Sequence, residues 1–316
     1  MKGTATIRQA NLQLKGKSGL TRITPNAADN LKKITADFGI LQHEKINRLH
    51  GRSYHTLADN ALALISSCKQ YHISSDPNYI KYITRYLDYV ELCQLPDGTF
   101  ADIRTSARSN PSVKPISISD SQGHTIWALG YLLALHSVLP VEITSRADIM
   151  MQKAIQNIEN IETPKSLALV IKGLYFYNTQ ANSIAVTSLI KTLADRLSQM
   201  FLTESTKEWQ WFSSSISLGD SVLPEALLCA YLDTNEYIYK DIAKSSFDFL
   251  LLKTFSEFPS GHYKARIKSS RRTSDVVNMV LALSKFFGYF KENYYLSKIS
   301  SAYSRFPILN NMRQCA

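Results

Sequence analysis

Helical segments of two kinds alternate along this chain of 316 residues, and this alternation limits its fold more than any other feature. Hydrophobic spacing predicts about eleven helices and hardly any strand. They cover residues 27–49, 56–71, 77–92, 120–138, 142–161, 164–177, 183–202, 221–232, 236–255, 274–286 and 292–306. The segments starting near 56, 120, 164, 221 and 274 are apolar almost all round, as buried helices are, whereas their partners carry charge on one face. Short connections predict antiparallel hairpins, with an inner ring of buried helices inside an outer ring.

The predicted outer helices share a weak internal repeat. An alignment of Tyr79, Tyr239 and Tyr295 also superposes residues 87–90 on 247–250 and on 303–306. A true repeat of the hairpin and chance similarity among amphipathic helices both explain this match. A straight solenoid of helical pairs is the architectural alternative, and the lack of a regular short period argues against it.

The composition is that of a globular protein with excess positive charge. A hydrophobic fraction of 45% allows a substantial core, and the formal net charge is +10. Such a charge suits nucleic acid, an anionic membrane surface or an acidic polysaccharide, and it also occurs for solubility alone, which is the interpretation we favour. The densest basic run, Lys264 to Arg272, is either a patch for phosphate or polyanions or a solvated loop.

The sequence contains no recognisable membrane, metal or nucleotide signal. No run approaches the ~20 apolar residues of a membrane span, and no secretory signal follows the N-terminus, so we expect a cytoplasmic protein. The cysteine and histidine spacings suit no metal, and no Gly-rich phosphate loop is present, so neither a metal nor a cofactor is predicted. We expect a basic N-terminal segment at 1–24, a helical domain at 25–306 and a C-terminal tail at 307–316.

Six short motifs occur in an order that matches a known family. They are 56–65 (TLADNALALI), 94–100 (QLPDGTF), 120–130 (DSQGHTIWALG), 211–212 (WF), 223–228 (LPEALL) and 261–263 (GHY). This order resembles bacterial α/α-toroid domains of the six-hairpin glycosidase type, over roughly residues 50 to 305. The resemblance implies an all-α fold, an α/α toroid of antiparallel helical hairpins. It also implies an oligosaccharide or polysaccharide ligand and association with a separate glycosyltransferase.

The chain departs from this family at several charged positions. Family acids or arginines are replaced at Ala58, Leu62, His124, Ser213 and within residues 219–222. A general acid contributes typically ~10²–10⁴-fold to rate, so losing one slows hydrolysis even when a sugar is bound. The departures therefore argue against efficient glycoside cleavage.

Acidic residues at the starts of the inner helices are the candidate catalytic groups. Glycoside hydrolysis needs two carboxyl groups about 5–5.5 or 6.5–9.5 Å apart. The predicted set is Asp120, Asp59 and Glu225. Asp97, Asp102, Asp220 and Asp275 are the other carboxylates that we considered. Helix capping is the alternative interpretation for each, because a carboxylate there accepts bonds from free backbone N–H groups.

Aromatic and histidine side chains are the candidate sugar-binding groups. Trp209 and Trp211 lie in a polar loop, where stacking on a sugar ring is favoured over core packing. Trp127 lies in an apolar helix, where packing is the stronger interpretation. His124 lies one turn beyond Asp120, at a spacing that lets the two side chains meet. Asp97, Asp220, His262 and Tyr263 complete the predicted substrate-binding set.

Three functions are compatible with these features. We favour a carbohydrate-related toroid that binds or processes a glycan and cleaves it poorly. An active glycoside hydrolase using an Asp/Glu pair is one alternative, and a basic helical scaffold for a protein or nucleic acid is another. The aromatic loop at 209–212 argues against the scaffold. We expect Asp59, Asp120, Trp211 and Glu225 to line one pocket.

Overall fold

Ten α-helices account for most of the residues that the computed structural model describes, which are 35–36, 39–40, 56–101, 118–158, 161–255, 267–268 and 273–305. The helices are α1 (Leu57–Ser74), α2 (Asn78–Cys93), α3 (Ile118–Leu133), α4 (Val141–Ile155), α5 (Pro164–Ala181), α6 (Ile184–Glu204), α7 (Val222–Thr234), α8 (Tyr237–Phe255), α9 (Thr273–Phe290) and α10 (Asn293–Arg305). Four two-residue strands accompany them: β1 (Thr35–Ala36), β2 (Gly39–Ile40), β3 (Ile216–Ser217) and β4 (Ile267–Lys268). Ten of the predicted segments are confirmed.

The helix predicted over residues 27–49 is wrong in its described part. β1 and β2 pair there as an antiparallel hairpin, with Thr35 opposite Ile40 and Ala36 opposite Gly39. The helix prediction rests on amphipathic spacing alone. Gly39 argues against it, because glycine disfavours helix interiors and suits a tight turn. Residues 1–24 and 307–316 lie outside the described ranges, and the domain boundaries stay a prediction.

The start of α5 follows the local signals in the sequence. Thr163 is its N-cap, and Thr163 Oγ1 accepts a hydrogen bond of 3.2 Å from the backbone N–H of Ser166. Pro164 occupies the first helical position, where its missing N–H costs nothing and its φ is already helical. The predicted combination of a capping residue with a first-turn proline is confirmed here.

The described chain divides into two compact units, with the boundary between Val186 and Thr187. In the first unit, α1, α3 and α5 pack side by side, α2 packs on α1 and α4 on α3. Gly123 faces Ser166 near the start of α5, and Gly130 faces Gly173 further along, so α3 and α5 run in the same direction. Two of the helices predicted to be inner, α3 and α5, are therefore parallel neighbours in this unit.

The second unit repeats the arrangement with α7 and α9 as buried neighbours. Gly219, just before α7, contacts Asp275 at the start of α9. Near the other ends, the Tyr289 hydroxyl donates a hydrogen bond of 2.9 Å to the Tyr231 hydroxyl. α7 and α9 are thus parallel, with their N-terminal ends together. α8 packs on α7 and α10 on α9, as the predicted outer helices.

Four polar side chains join the outer helices α6 and α8. Lys191 on α6 forms an ion pair with Glu236, which directly precedes α8. One turn along each helix, the buried Tyr239 hydroxyl donates a hydrogen bond of 2.5 Å to Asp195 Oδ1. Burial, followed by this bond to Asp195, raises the pKa of Tyr239. We call this set of four the first clasp.

A second clasp of the same four residue types joins α8 to α10. Lys244 pairs with Glu292 at 3.0 Å, and the buried Tyr295 hydroxyl donates a hydrogen bond of 2.8 Å to Asp248 Oδ1. In both clasps the Lys and Asp are four residues apart and the Glu and Tyr three apart. Tyr239 and Tyr295 were aligned by the sequence repeat, and the matching contacts show that this part of the repeat is structural.

The second clasp gives a test of what its hydroxyl group contributes. Tyr295 is fully buried, and its oxygen also accepts a bond of 3.0 Å from Lys244 Nζ. Tyr295→Phe removes both bonds and keeps the ring, so we expect the free energy of unfolding to fall by about 1 kcal/mol. Urea titration followed by circular dichroism measures this change. Tyr294→Phe, at the exposed neighbouring residue, is the matched control and should change stability by less than about 0.5 kcal/mol. Equal effects of the two variants would contradict the assignment.

Candidate functional site in the second unit

The start of α7 carries a buried carboxylate and a buried hydroxyl. Glu225, in the first turn, is only 5% exposed, and Ser221, which precedes the helix, is fully buried. Ser221 Oγ has no hydrogen-bond partner within the described ranges. A buried hydroxyl without a partner is energetically unfavourable, which makes Ser221 a candidate for contact with a ligand.

Trp211 adds a second buried polar atom of this kind. Its side chain is fully buried and packs edge-to-face on Phe212, with ring centroids 5.3 Å apart. The indole Nε1 finds no acceptor in the part of the chain that the structure describes. Stacking on a sugar needs an exposed ring face, which Trp211 lacks. Its N–H group is therefore the feature that suits a ligand.

The turn between β3 and α7 is held by Asp220. A 3₁₀ turn over Leu218–Ser221 leads into the helix, and the backbone N–H of Ser217 donates to Asp220 Oδ2 at 3.0 Å. Ser217 in turn caps the backbone N–H of Asp220, so the two residues form a capping box. Capping is the role that the structure gives to Asp220.

The loop before this turn gives Trp209 a packing role. Trp209 is buried, and its indole N–H donates a hydrogen bond of 2.7 Å to the carbonyl oxygen of Ser213. Its ring meets Phe249 on α8 edge-to-face, with centroids 5.3 Å apart. The sequence of the polar loop does not indicate this contact, because Phe249 lies 40 residues further along the chain. Sugar binding by Trp209 stays a prediction, whereas these contacts show that Trp209 packs the loop against α8.

The first unit gives Asp59 the contacts of a helix cap. Thr56 is the N-cap of α1, and its hydroxyl donates a bond of 2.6 Å to Asp59 Oδ2 while accepting from the backbone N–H of Asp59 at 3.1 Å. Asp59 is half-buried. This geometry satisfies backbone groups at the helix start, which is the alternative that the sequence left open.

Asp97 occupies an exposed turn between α2 and the loop that follows. Its Oδ1 accepts bonds from the Thr99 hydroxyl at 2.7 Å and the Thr99 backbone N–H at 2.9 Å, and these bonds lower the pKa of the carboxyl group. Gly98 completes the turn with a φ of +88°, and a side chain there would collide with the backbone of Lys153. Asp97 therefore shapes this turn.

Trp127 is covered by a lysine in the first unit. Both Trp127, on α3, and Lys172, on α5, are buried, and Lys172 Nζ lies 3.8 Å from the centroid of the indole ring. A desolvated cation over an indole face is worth ~2 kcal/mol or more. This contact gives Trp127 a packing role, and sugar binding by Trp127 stays a prediction. A single lysine within the apolar stretch 167–174 was the available sequence signal for it.

The remaining predicted residues have fewer described contacts. His124 is half-buried on α3, whereas the side chain of Asp120 lies outside the described residues, so their pairing stays a prediction. His262 and Tyr263 also lie outside the described ranges. Of the basic run 264–272, Ile267 and Lys268 are described, and they pair in parallel with Ile216 and Ser217.

The sequence prediction missed three features of the second unit: the buried hydroxyl of Ser221, the buried Asn278 and the contact of Gly219 with Asp275. From the sequence, Asp275 is a further candidate carboxylate outside the predicted catalytic set. Within the described ranges, no cluster of three or more His, Cys, Asp or Glu side chains could hold a metal ion. No described helix combines the length and the apolar character that a membrane span requires.

Comparisons with solved structures identify the fold. A D-mannose isomerase matches over 91% of this chain and 87% of its own, with a TM-score of 0.62 and 12% identity. A sugar epimerase from a ruminal bacterium matches over 90% and 84%, with a TM-score of 0.63 and 8% identity. The cellobiose 2-epimerase of Bacillus thermoamylovorans matches over 95% and 87%, with a TM-score of 0.60 and 11% identity.

Sequence comparisons add nothing to this assignment. No protein-family model matches the chain, and no curated protein matches it by sequence. At identities of 8–12% the structural matches show the fold alone. The predicted all-α architecture is confirmed: this chain has the α/α-toroid fold.

Proposed function

We propose that this chain binds a sugar at the start of α7 and converts its reducing end, with Glu225 as an acid–base group. The observation that carries the proposal is the pair of buried polar atoms without described partners, Trp211 Nε1 and Ser221 Oγ, in the segment that leads to buried Glu225. These groups are enclosed by protein, so a ligand bound to them would be held away from bulk water.

The chemical groups suit a polyhydroxylated ligand. Each sugar hydroxyl both donates and accepts hydrogen bonds. Trp211 offers a donor, Ser221 a group that does both, and Glu225 a carboxylate acceptor. The solved structures that resemble this chain are a D-mannose isomerase, a sugar epimerase and a cellobiose 2-epimerase. This agreement supports conversion of a sugar over cleavage of a glycosidic bond.

Two predictions from the sequence remain part of this proposal. A separate glycosyltransferase is the proposed partner, and the protein is proposed to be cytoplasmic. Co-purification of the tagged chain with a glycosyltransferase from its native host would support the partner, and its absence from the purified material would argue against it.

Calorimetric titration of the purified chain with D-mannose, cellobiose and a longer oligosaccharide tests the binding. We expect at least one sugar to bind, and proton NMR of the same mixture to show a new isomer or epimer. Trp211→Phe keeps an aromatic ring and removes the N–H, so the affinity should fall roughly tenfold. Trp209→Phe removes an indole N–H from the same loop and should lower stability without changing affinity.

Each result separates one function from the others. Release of a monosaccharide from the oligosaccharide would assign a glycoside hydrolase. Binding without any conversion would leave a glycan-binding protein and refute the reaction. If the chain binds none of these sugars although circular dichroism shows that it is folded, the proposal is refuted and the basic scaffold is favoured.

A further inference from the structure

Three tyrosines and a lysine form a cluster where α7 ends and α8 begins. The ring centroid of Tyr231, near the end of α7, lies 5.7 Å from that of Tyr237, the first residue of α8. It also lies 5.6 Å from the ring centroid of Tyr289, near the end of α9. Lys240 Nζ lies 4.5 Å from the ring centroid of Tyr237 and 5.5 Å from that of Tyr231. We call these four residues the tyrosine cluster.

Tyr237 is the exposed member of the tyrosine cluster. At 65% it is the most exposed aromatic side chain in the part of the chain that the structure describes, and the neighbouring Ile238 is 48% exposed. Two residues beyond Tyr237, Tyr239 is fully buried and closes the first clasp. Core packing therefore accounts for Tyr239 and not for Tyr237. Lys240 and Tyr231 hold the Tyr237 ring, while most of its surface stays open to solvent.

The other two tyrosines supply hydroxyl groups that are already oriented. The Tyr289 hydroxyl donates a hydrogen bond of 2.9 Å to the Tyr231 hydroxyl. An oxygen that accepts this bond keeps its own proton, so Tyr231 can still donate a hydrogen bond to a ligand. Burial, followed by the bond to Tyr231, raises the pKa of Tyr289 to about 12. Tyr289 therefore keeps its proton at neutral pH, and the pair of hydroxyl groups stays intact.

The tyrosine cluster lies at the opposite end of α7 from the candidate site. Ser221 directly precedes the helix, and Tyr231 lies ten residues further along, which is about 15 Å along the helix axis. The N-terminal ends of α7 and α9 lie together at the contact of Gly219 with Asp275, and their C-terminal ends lie together at the hydrogen bond from Tyr289. A ligand site on the tyrosine cluster is thus distinct from the one at the start of α7.

We propose that the tyrosine cluster is a second carbohydrate-binding site, which binds one pyranose unit of a neutral oligosaccharide chain by stacking on Tyr237. An apolar ring with a polar edge matches a sugar, which has C–H faces and a rim of hydroxyl groups. Tyr231 and Lys240 donate hydrogen bonds to that rim. The exposed Asp241 directly follows Lys240, so the charge beside the ring is balanced and suits a neutral chain better than a polyanion.

The shape of the ligand follows from the single open ring. Extended β-1,4-linked glucan and mannan chains present the flat faces of their pyranose units along the chain, so a unit inside the chain can stack on Tyr237. The inference goes beyond the proposed function, because it concerns a different surface and requires no reaction.

Binding of hexasaccharides without a reducing end tests this site. Cellohexaose and mannohexaose are reduced to their alditols, which removes the end that the proposed reaction converts, and both are titrated calorimetrically into the wild-type chain. We expect at least one alditol to bind. Tyr237→Ala removes the stacking surface and should lower that affinity roughly tenfold or more. Tyr237→Phe keeps the ring and should bind within about threefold of the wild type.

A matched control separates the tyrosine cluster from other exposed aromatic residues. Tyr294 is 42% exposed and lies on α10, outside the cluster, so Tyr294→Ala should bind the alditols like the wild type. Tyr237→Ala should also convert D-mannose or cellobiose at the wild-type rate, because the candidate site is at the other end of α7. A purely structural Tyr237 would lower the melting temperature on replacement and leave the affinity for the alditols unchanged.

The outcomes are distinct. If Tyr237→Ala binds the alditols as tightly as the wild type, or if Tyr294→Ala loses as much affinity, the inference is wrong and the proposed function is unaffected. If neither alditol binds to the wild type, or if Tyr237→Ala fails to fold, the inference is also wrong. Binding of polygalacturonate but of neither alditol would assign an anion site and refute the neutral chain. If the alditols bind through Tyr237 while no sugar is converted, the proposed function is wrong and the inference stands.

Discussion

Gly130→Ala is expected to lower the free energy of unfolding by roughly 3 kcal/mol or more. A Cβ atom at position 130 would lie 2.7 Å from the carbonyl carbon of Gly173, and one at position 173 would lie 2.6 Å from the carbonyl carbon of Ile126. Both collisions are with the backbone of the opposite helix, so no side-chain rotation can relieve them. α3 and α5 would have to separate, and the buried residues between them would lose contact.

A double-mutant cycle makes this prediction specific to the helix contact. Either Gly130→Ala or Gly173→Ala alone forces the helices apart, so the double variant should cost clearly less than the sum of the two single variants. Urea titration followed by circular dichroism and by tryptophan fluorescence measures all three. Gly288→Ala is the matched control in a helix, and it should be neutral or stabilise the protein by about 0.5–1 kcal/mol, because alanine favours the helix and meets no neighbour. Equal effects at positions 130 and 288 would refute the close contact.

The pairing of Gly130 with Gly173 also shows which part of the fold the sequence could predict. The alternation of apolar and charged segments predicted eleven helices, ten of which are confirmed, and it identified the buried ones, because burial all round a helix removes charge from every face. It could not show which residues of α3 and α5 touch. That contact depends on two single glycines 43 residues apart. In the sequence, each glycine alone indicates only a lower helix propensity.

Residues of the candidate site were harder to predict, because their roles depend on tertiary contacts. Trp209 lies in a polar loop by sequence, yet Phe249 and the Ser213 carbonyl oxygen use both its ring and its N–H. Asp59 and Asp220 carry the same local signature as Glu225, a carboxylate near a helix start. The first two have capping partners, Thr56 and Ser217, within three residues. Burial distinguishes Glu225, and burial is a property of the folded chain.

Glu225→Gln should lower the rate of sugar conversion by ~10²–10⁴-fold, the typical contribution of a general acid or base. Glutamine has nearly the same shape as glutamate and can still bind a hydroxyl, but it can neither accept nor return a proton at neutral pH. We therefore expect the dissociation constant for the sugar to change by less than about tenfold, which separates the loss of chemistry from the loss of binding.

The control for this variant is Glu204→Gln, which makes the same replacement at an exposed residue at the end of α6 and should leave the rate unchanged. Replacing Glu225 also removes a negative charge from the first turn of α7, where it complements the helix dipole, at a cost of about 0.3–1 kcal/mol of stability. Rates are therefore compared at a temperature where both chains are fully folded. Initial rates by proton NMR at saturating sugar measure the effect. If Glu225→Gln converts the sugar as fast as the wild type, the acid–base group lies elsewhere. Asp275 would then be the next residue to replace, because it is a buried carboxylate that contacts the turn before α7.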